Sequence, residues 1–193
     1  NTTASQNTAS GVNALYSNTT GDINAAFGSF SLFSNTTGTE NVAVGANALR
    51  ENITGVSNTA VGQSSLRSNT IGIANTGVGT LSLNSNISGS ENTAIGLNTL
   101  RDNTTGDNNV AIGVNTLLLN VSGSDNTAVG RQTMFSNTTG SSNVAIGKFS
   151  LNSNLTGSFN VAIGREALFS NTESSNVAVG YQALRFNTTG LNN

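Results

Sequence analysis

One spacing governs this chain. Glycine recurs every seventeen residues, at Gly11, Gly28, Gly45, Gly62, Gly79, Gly96, Gly113, Gly130, Gly147 and Gly164, and returns at Gly180 after one residue is lost between Asn171 and Asn176. Four residues after each glycine stands a leucine, from Leu15 and Leu32 to Leu168 and Leu184, with Met134 the single substitution. A fixed period of this length builds an array of stacked units, each of which buries its apolar residues only against its neighbours. The 193 residues therefore read as one continuous array, 1–193, rather than two domains. Asn1-Thr2-Thr3 is already in register with Asn18-Thr19-Thr20, and Asn193 falls in the column of Asn160 and Asn176. With no atypical capping unit in view, the expectation is an uncapped excerpt of a longer fibre, or a unit that stacks end to end.

A single copy, Glu40 to Val56, shows how the unit folds. The triplet Val42-Ala43-Val44 recurs as Val110-Ala111-Ile112, Val144-Ala145-Ile146, Val161-Ala162-Ile163 and Val177-Ala178-Val179. β-Branched residues at this density favour strand. A second strand is expected over the small residue and leucine of Ala48-Leu49, Thr99-Leu100 and Ser150-Leu151. Glycine and Asn-Thr-Thr-Gly segments punctuate the two, at corners where special backbone angles are cheap for Gly and Asn. A helix would have to place Gly, Asn, Ser and Thr throughout its interior, each less favourable there than alanine. The expected fold is all-β: a parallel β-solenoid, or β-roll, of about eleven seventeen-residue coils with two short strands each, associated with other chains. One buried leucine and one buried Val or Ile contribute roughly 1.5–3 kcal/mol each, whereas ordering a residue's backbone costs about 1–2 kcal/mol. A lone coil falls short, so stacking and oligomerisation are expected.

Stacked coils convert the repeat into columns of like residues. The most regular polar column holds Asn18, Asn35, Asn52, Asn69, Asn86, Asn103, Asn120, Asn137, Asn154, Asn171 and Asn187. Side-chain amides stacked at strand spacing can bond along the axis as a ladder. The same column also supplies N-x-Ser/Thr acceptors for N-glycans at Asn18, Asn35, Asn52, Asn86, Asn103, Asn120, Asn137, Asn154 and Asn187. Within the strand triplet, the β-branched positions are expected to face the coil interior. The small column Ala43, Ala60, Ala94, Ala111, Ala128, Ala145, Ala162 and Ala178 then faces whatever approaches closely, the opposite sheet or a neighbouring chain. Arg131, Lys148 and Arg165 stack as a basic column that calls for a nearby carboxylate, an acidic glycan or another subunit as partner. Tyr16, Phe33, Phe135 and Phe169 share a column with Arg50, Arg67, Arg101 and Arg185, a mixture suited to lateral chain packing. A threonine column through Thr19, Thr36, Thr70, Thr104 and Thr138 raises ice binding, although Ile53, Ile87, Val121 and Leu155 interrupt it.

Charged residues are 8% of the chain and the formal net charge is −2, which leaves no electrostatic footprint for nucleic acid. Cysteine and histidine are both absent, and no P-loop, GxSxG, HExxH or calcium-binding glycine motif occurs. The expectation is therefore a protein without enzymatic activity, cofactor or metal. No segment is apolar over the length needed to span a bilayer.

The strand motif carries a resemblance. Asn143-Val144-Ala145-Ile146-Gly147 and Asn160-Val161-Ala162-Ile163-Gly164 resemble the repeats of trimeric autotransporter adhesin heads, and Tyr181 to Gly190 is similar to NTTG-punctuated repeats of bacterial and phage tail-fibre-type proteins. That resemblance implies a left-handed parallel β-roll, three associated chains and a role in surface attachment. The adhesin repeat is shorter, and no adhesin ligand residue carries over. The expected function is a structural extracellular fibre or filament module on a cell or virion surface, whose partners are other copies of itself. The alternatives are an adhesin or tail-fibre module recognising glycans or host surface, and an ice-binding solenoid.

Overall fold

The computed structural model describes residues 3–190 and 192–193, and it is a parallel β-solenoid. Each coil contributes one three-residue strand: Thr8–Ser10 (β1), Ala25–Phe27 (β2), Val42–Val44 (β3), Thr59–Val61 (β4), Thr76–Val78 (β5), Thr93–Ile95 (β6), Val110–Ile112 (β7), Thr127–Val129 (β8), Val144–Ile146 (β9), Val161–Ile163 (β10) and Val177–Val179 (β11). The eleven strands form one sheet in chain order, every pair parallel and in register, so Val42 lies beside Thr59 and Ala43 beside Ala60. Lateral spacing of about 4.8 Å per strand makes the rod on the order of 50 Å long. No helix occurs among the described residues.

The second expected strand is not one. Asn47 and Leu49 take φ values of 59° and 48°, and the same left-handed conformation recurs at Leu32, Leu66, Leu83, Leu100 and every later residue of the column. This leucine arm still bonds to its neighbours, Leu49 N–H donating to Ser65 O at 3.1 Å and Asn47 N–H to Ser29 O at 2.9 Å. Alternating left-handed residues curl the arm where a strand would run straight, bringing each leucine back across the coil. For a non-glycine residue the left-handed region costs roughly 1–2 kcal/mol. Full burial of the leucine, worth roughly 1.5–3 kcal/mol, offsets that cost.

The strand faces the other way round from expectation. Ala43, Ala60, Ala94, Ala111, Ala128, Ala145 and Ala162 have no exposed surface and pack with the leucine column in one core running along the axis, and Ala178 is all but buried. Val42, Val44, Ile95, Ile112 and Ile146 point outward and are more than a third exposed. A coil this narrow holds one large side chain, and leucine takes that place. The facing strand can then offer nothing bigger than alanine.

The glycine after the strand is required by geometry. Gly45 has φ 130°, and a Cβ there would sit 2.7 Å from the carbonyl carbon of Gly62 in the next coil. Backbone meets backbone at that contact, so every coil repeats the glycine.

Candidate functional site

The corners between the arms carry two asparagine ladders. In the first, Asn35 Nδ2 donates to Asn18 Oδ1 at 2.7 Å and to Gly38 O at 3.0 Å, and the pattern repeats through Asn52, Asn69, Asn86, Asn103, Asn120, Asn137 and Asn154. In the second, the Asn58 backbone N–H and Nδ2 both donate to Asn41 Oδ1, at 3.0 and 3.1 Å, while Nδ2 also reaches Gly72 O at 2.8 Å. Each corner glycine carbonyl ties the ladders together, as Gly55 O does by accepting from both Asn41 and Asn52. A buried amide needs every partner it can get. These amides find theirs within the stack.

That arrangement decides between the two readings of the first column. Asn35, Asn52, Asn86, Asn103, Asn120, Asn137 and Asn154 have no exposed surface, Asn18 is nearly as buried, and Asn187 in the last described coil is half-buried. An N-glycan on Asn35 would have to replace an amide hydrogen already bonded inside the coil. Asn69 and Asn171 lie in the same column without a following hydroxyl at the acceptor spacing, and they are buried alike. The column is a structural ladder whether or not the acceptor motif is complete.

The alanine column, expected as a surface for chain packing, lies inside the coil and cannot touch a second chain. What reaches it closely is the leucine arm on either side of it in the chain, as Ser65, Leu66 and Ser82 do at Gly77. The surface left for a partner is the opposite side of the same strands. Its two ranks run through Val42, Val110 and Val144 at the first strand position and Val44, Ile112 and Ile146 at the third, with threonines at Thr59, Thr76, Thr93 and Thr127. No first or third strand position carries a charge. The sequence held a usable signal for this inversion: alanine in ten copies and Gly77 in the eleventh is too small a column to fill a core alone, but fits opposite an unvarying leucine.

The basic column is partnered locally in two of three places. Lys148 Nζ lies 4.8 Å above the Phe149 ring, and Arg165 lies over Tyr181 while donating from Nε to Glu166 Oε1 at 3.1 Å. Arg131 is exposed and makes no ion pair among the described residues. Glu166, nearly buried, also accepts from Gln182 Nε2 at 2.9 Å, and Arg185 Nε lies 3.1 Å from its Oε2 without hydrogen-bond alignment. The Gln182 hydrogen bond, with the Arg185 and Arg165 charges, holds the Glu166 carboxyl below its ordinary pKa against the opposing effect of burial. The aromatic and arginine column meets as expected for neighbours in a stack. Tyr16 and Phe33 stack at 5.5 Å, and Arg185 lies over both Phe169 and Phe186. The threonine column lies at the outer edge of the asparagine corner, Thr36 Oγ1 donating to Ile53 O at 3.1 Å.

Among the described residues there is no pocket, no group of side chains able to hold a metal ion, and no helix long and apolar enough to cross a membrane. The described residues offer surfaces and no cleft. No protein-family profile, curated protein or solved structure matches it.

Proposed function

We propose that this chain is a structural module of an extracellular fibre or filament, at a cell or virion surface, whose copies associate by coil stacking and by lateral packing of the outward sheet face. The observation that carries this reading is the outward face itself. Valine, isoleucine and threonine line it from β3 to β11, and none of the eleven strands places a charge there, although the chain has seven cations and nine carboxylates to place. A strip two ranks wide, about 7 Å by 50 Å at strand geometry, approaches the few hundred Å² of contiguous apolar surface at which interaction sites are found. Sedimentation velocity and electron microscopy of the purified chain test the proposal. Self-association is expected, and Ile112→Lys with Ile146→Lys is expected to abolish it while the β-rich circular dichroism persists. A chain that stays monomeric at its highest soluble concentration sinks the reading.

A second reading, an adhesin or tail-fibre module that recognises glycans or host surface, draws on the exposed Lys148, Arg165 and Tyr181. It predicts glycan-array binding that is lost in Lys148→Glu with Arg165→Glu.

A further inference from the structure

The ladders fail at one place. Between the corner Asn154–Asn160 and the next corner, Asn171–Asn176, one residue is missing, and the shortened turn cannot put both amides in line. Asn171 Nδ2 donates to Glu173 O at 2.6 Å and leaves Asn154 Oδ1 buried with no partner. In the second ladder the Asn176 backbone N–H still donates to Asn160 Oδ1 at 3.0 Å, but Asn176 Nδ2 turns to Asn171 Oδ1 and Ser174 O, both at 3.2 Å, instead of reaching back beside it. The backbone bond that Thr138 N–H makes to Leu155 O at 2.8 Å has no counterpart from Leu155 to Thr172. Both ladders resume beyond, with Asn187 Nδ2 on Asn171 Oδ1 and Asn193 Nδ2 on Asn176 Oδ1.

The other sides of the same junction remain closed. Val161 N–H donates to Asn176 O at 2.8 Å, and Ser153 N–H to Phe169 O at 2.9 Å. On the leucine arm the neighbouring coils are braced: Phe149 meets Phe169 edge-on at 6.3 Å, and Glu166 takes Gln182 and Arg185 from the next coil. The corner keeps the bonds from Asn176 N–H to Asn160 Oδ1 and from Asn160 Nδ2 to Glu173 O, but it has lost the Asn154 rung, one of the two Asn160 rungs and the Leu155 backbone bond, while the opposite arm carries ionic and aromatic contacts. In a stacked array stability is a sum of coil and interface contributions, so the interface short of bonds is the one that opens first.

We propose that the Asn154–Asn160/Asn171–Asn176 junction is a built-in seam, hinged on the leucine arm, at which the solenoid opens ahead of the other internal junctions. Opening there exposes the Asn154 amide and the edge of the coil carrying β10, while the coils before it stay closed.

Hydrogen exchange on the full chain tests this directly. The Val161 amide reports the seam, and the Ala25 amide, donating to Asn41 O at 2.9 Å, reports a regular junction near the other end. With two or three hydrogen bonds missing at the seam, Val161 is expected to exchange on the order of tenfold faster or more than Ala25. A glycine inserted between Glu173 and Ser174 restores the seventeen-residue turn with glycine in the corner position, and is expected to slow Val161 while leaving Ala25 unchanged. Deleting Thr139 transplants the short turn and is expected to speed exchange at Thr127, whose amide donates to Asn143 O. Equal exchange at Val161 and Ala25, or an inserted glycine that leaves Val161 as fast as before, overturns the proposal.

Discussion

Val42–Val44 and Asn47–Leu49 lie three residues apart in one coil, and both pass backbone hydrogen bonds to adjacent coils, yet only the first is a strand. The strand keeps ordinary extended angles and buries one small residue of three. The leucine arm accepts left-handed angles at two residues of three and buries the largest apolar side chain of the coil. One arm is cheap in backbone and poor in burial, and the other is costly in backbone and rich in burial. On the leucine arm, conformational strain is tolerated where it delivers the side chain that fills the core, whereas the left-handed residues before the strand, such as Glu40 and Phe159, leave their side chains outside. The three strand residues themselves carry no such strain.

The leucine arm is where that contrast is easiest to break. Leu83→Ala in mid-rod removes the side chain that offsets the left-handed backbone, and by the usual cost of large-to-small core changes should destabilise the fold by about 2–5 kcal/mol. Chemical denaturation measures it, and a loss under 1 kcal/mol would mean that burial does not hold the arm. Next in size comes the corner between the arms. Asn86→Ala strips Asn103 Nδ2 of its acceptor and Asn69 Oδ1 of its donor, and leaving such groups buried without partners costs about 1–3 kcal/mol. A double cycle with Asn103→Ala should show the pair to be strongly non-additive, because both substitutions break the same ladder.

A pH titration examines the charged brace that Glu166 makes across the leucine arm. Glu166 has a folded-state pKa below its ordinary value, so its contribution is complete above the ordinary carboxylate range and is lost as pH falls through the lowered value. Thermal unfolding of Glu166→Gln should lose that acid-side component of the pH profile while the remaining profile keeps its shape. The strand arm should be the least sensitive in the isolated chain. Ile112→Lys, on the outward face, is expected to change monomer stability by no more than about 0.5 kcal/mol, its effect appearing in self-association. A large loss of monomer stability there would show that the outer rank is needed for folding and is not held for a partner.

Much of this was legible in the sequence, and the failures have physical causes. The period gave the stack, its register and the asparagine ladder, because like residues every seventeen positions can only become columns. The ladder at Asn58 and Asn75 was present in the same period but is harder to see as one, since half of its bonding is to backbone. The inward and outward faces of the strand were read backwards, since β-branched residues usually sit inside. Only the demand of one leucine per narrow coil reverses that preference at Val42 and Val44. The left-handed arm could be suspected from Asn47, Asn98 and Asn115 at one of its positions, residues that tolerate such angles. Nothing about Leu49 announces it. The missing residue after Asn171 is plain in the sequence, but that it leaves Asn154 Oδ1 unpaired depends on where the amides point.

The ladders also give the rod a sense of direction. Asn35 Nδ2 donates to Asn18, Asn52 to Asn35 and Asn69 to Asn52, each amide held in that orientation because its other hydrogen is fixed on a glycine carbonyl of its own corner. Every side-chain dipole in the column therefore points the same way along the axis, and each bond polarises the next. Sever the rod between two regular coils, and at the corner the earlier coil shows two asparagine acceptors where the later coil shows their donors. These corner groups complement one another head to tail and not head to head, which sets the polarity that axial stacking would have under the fibre proposal.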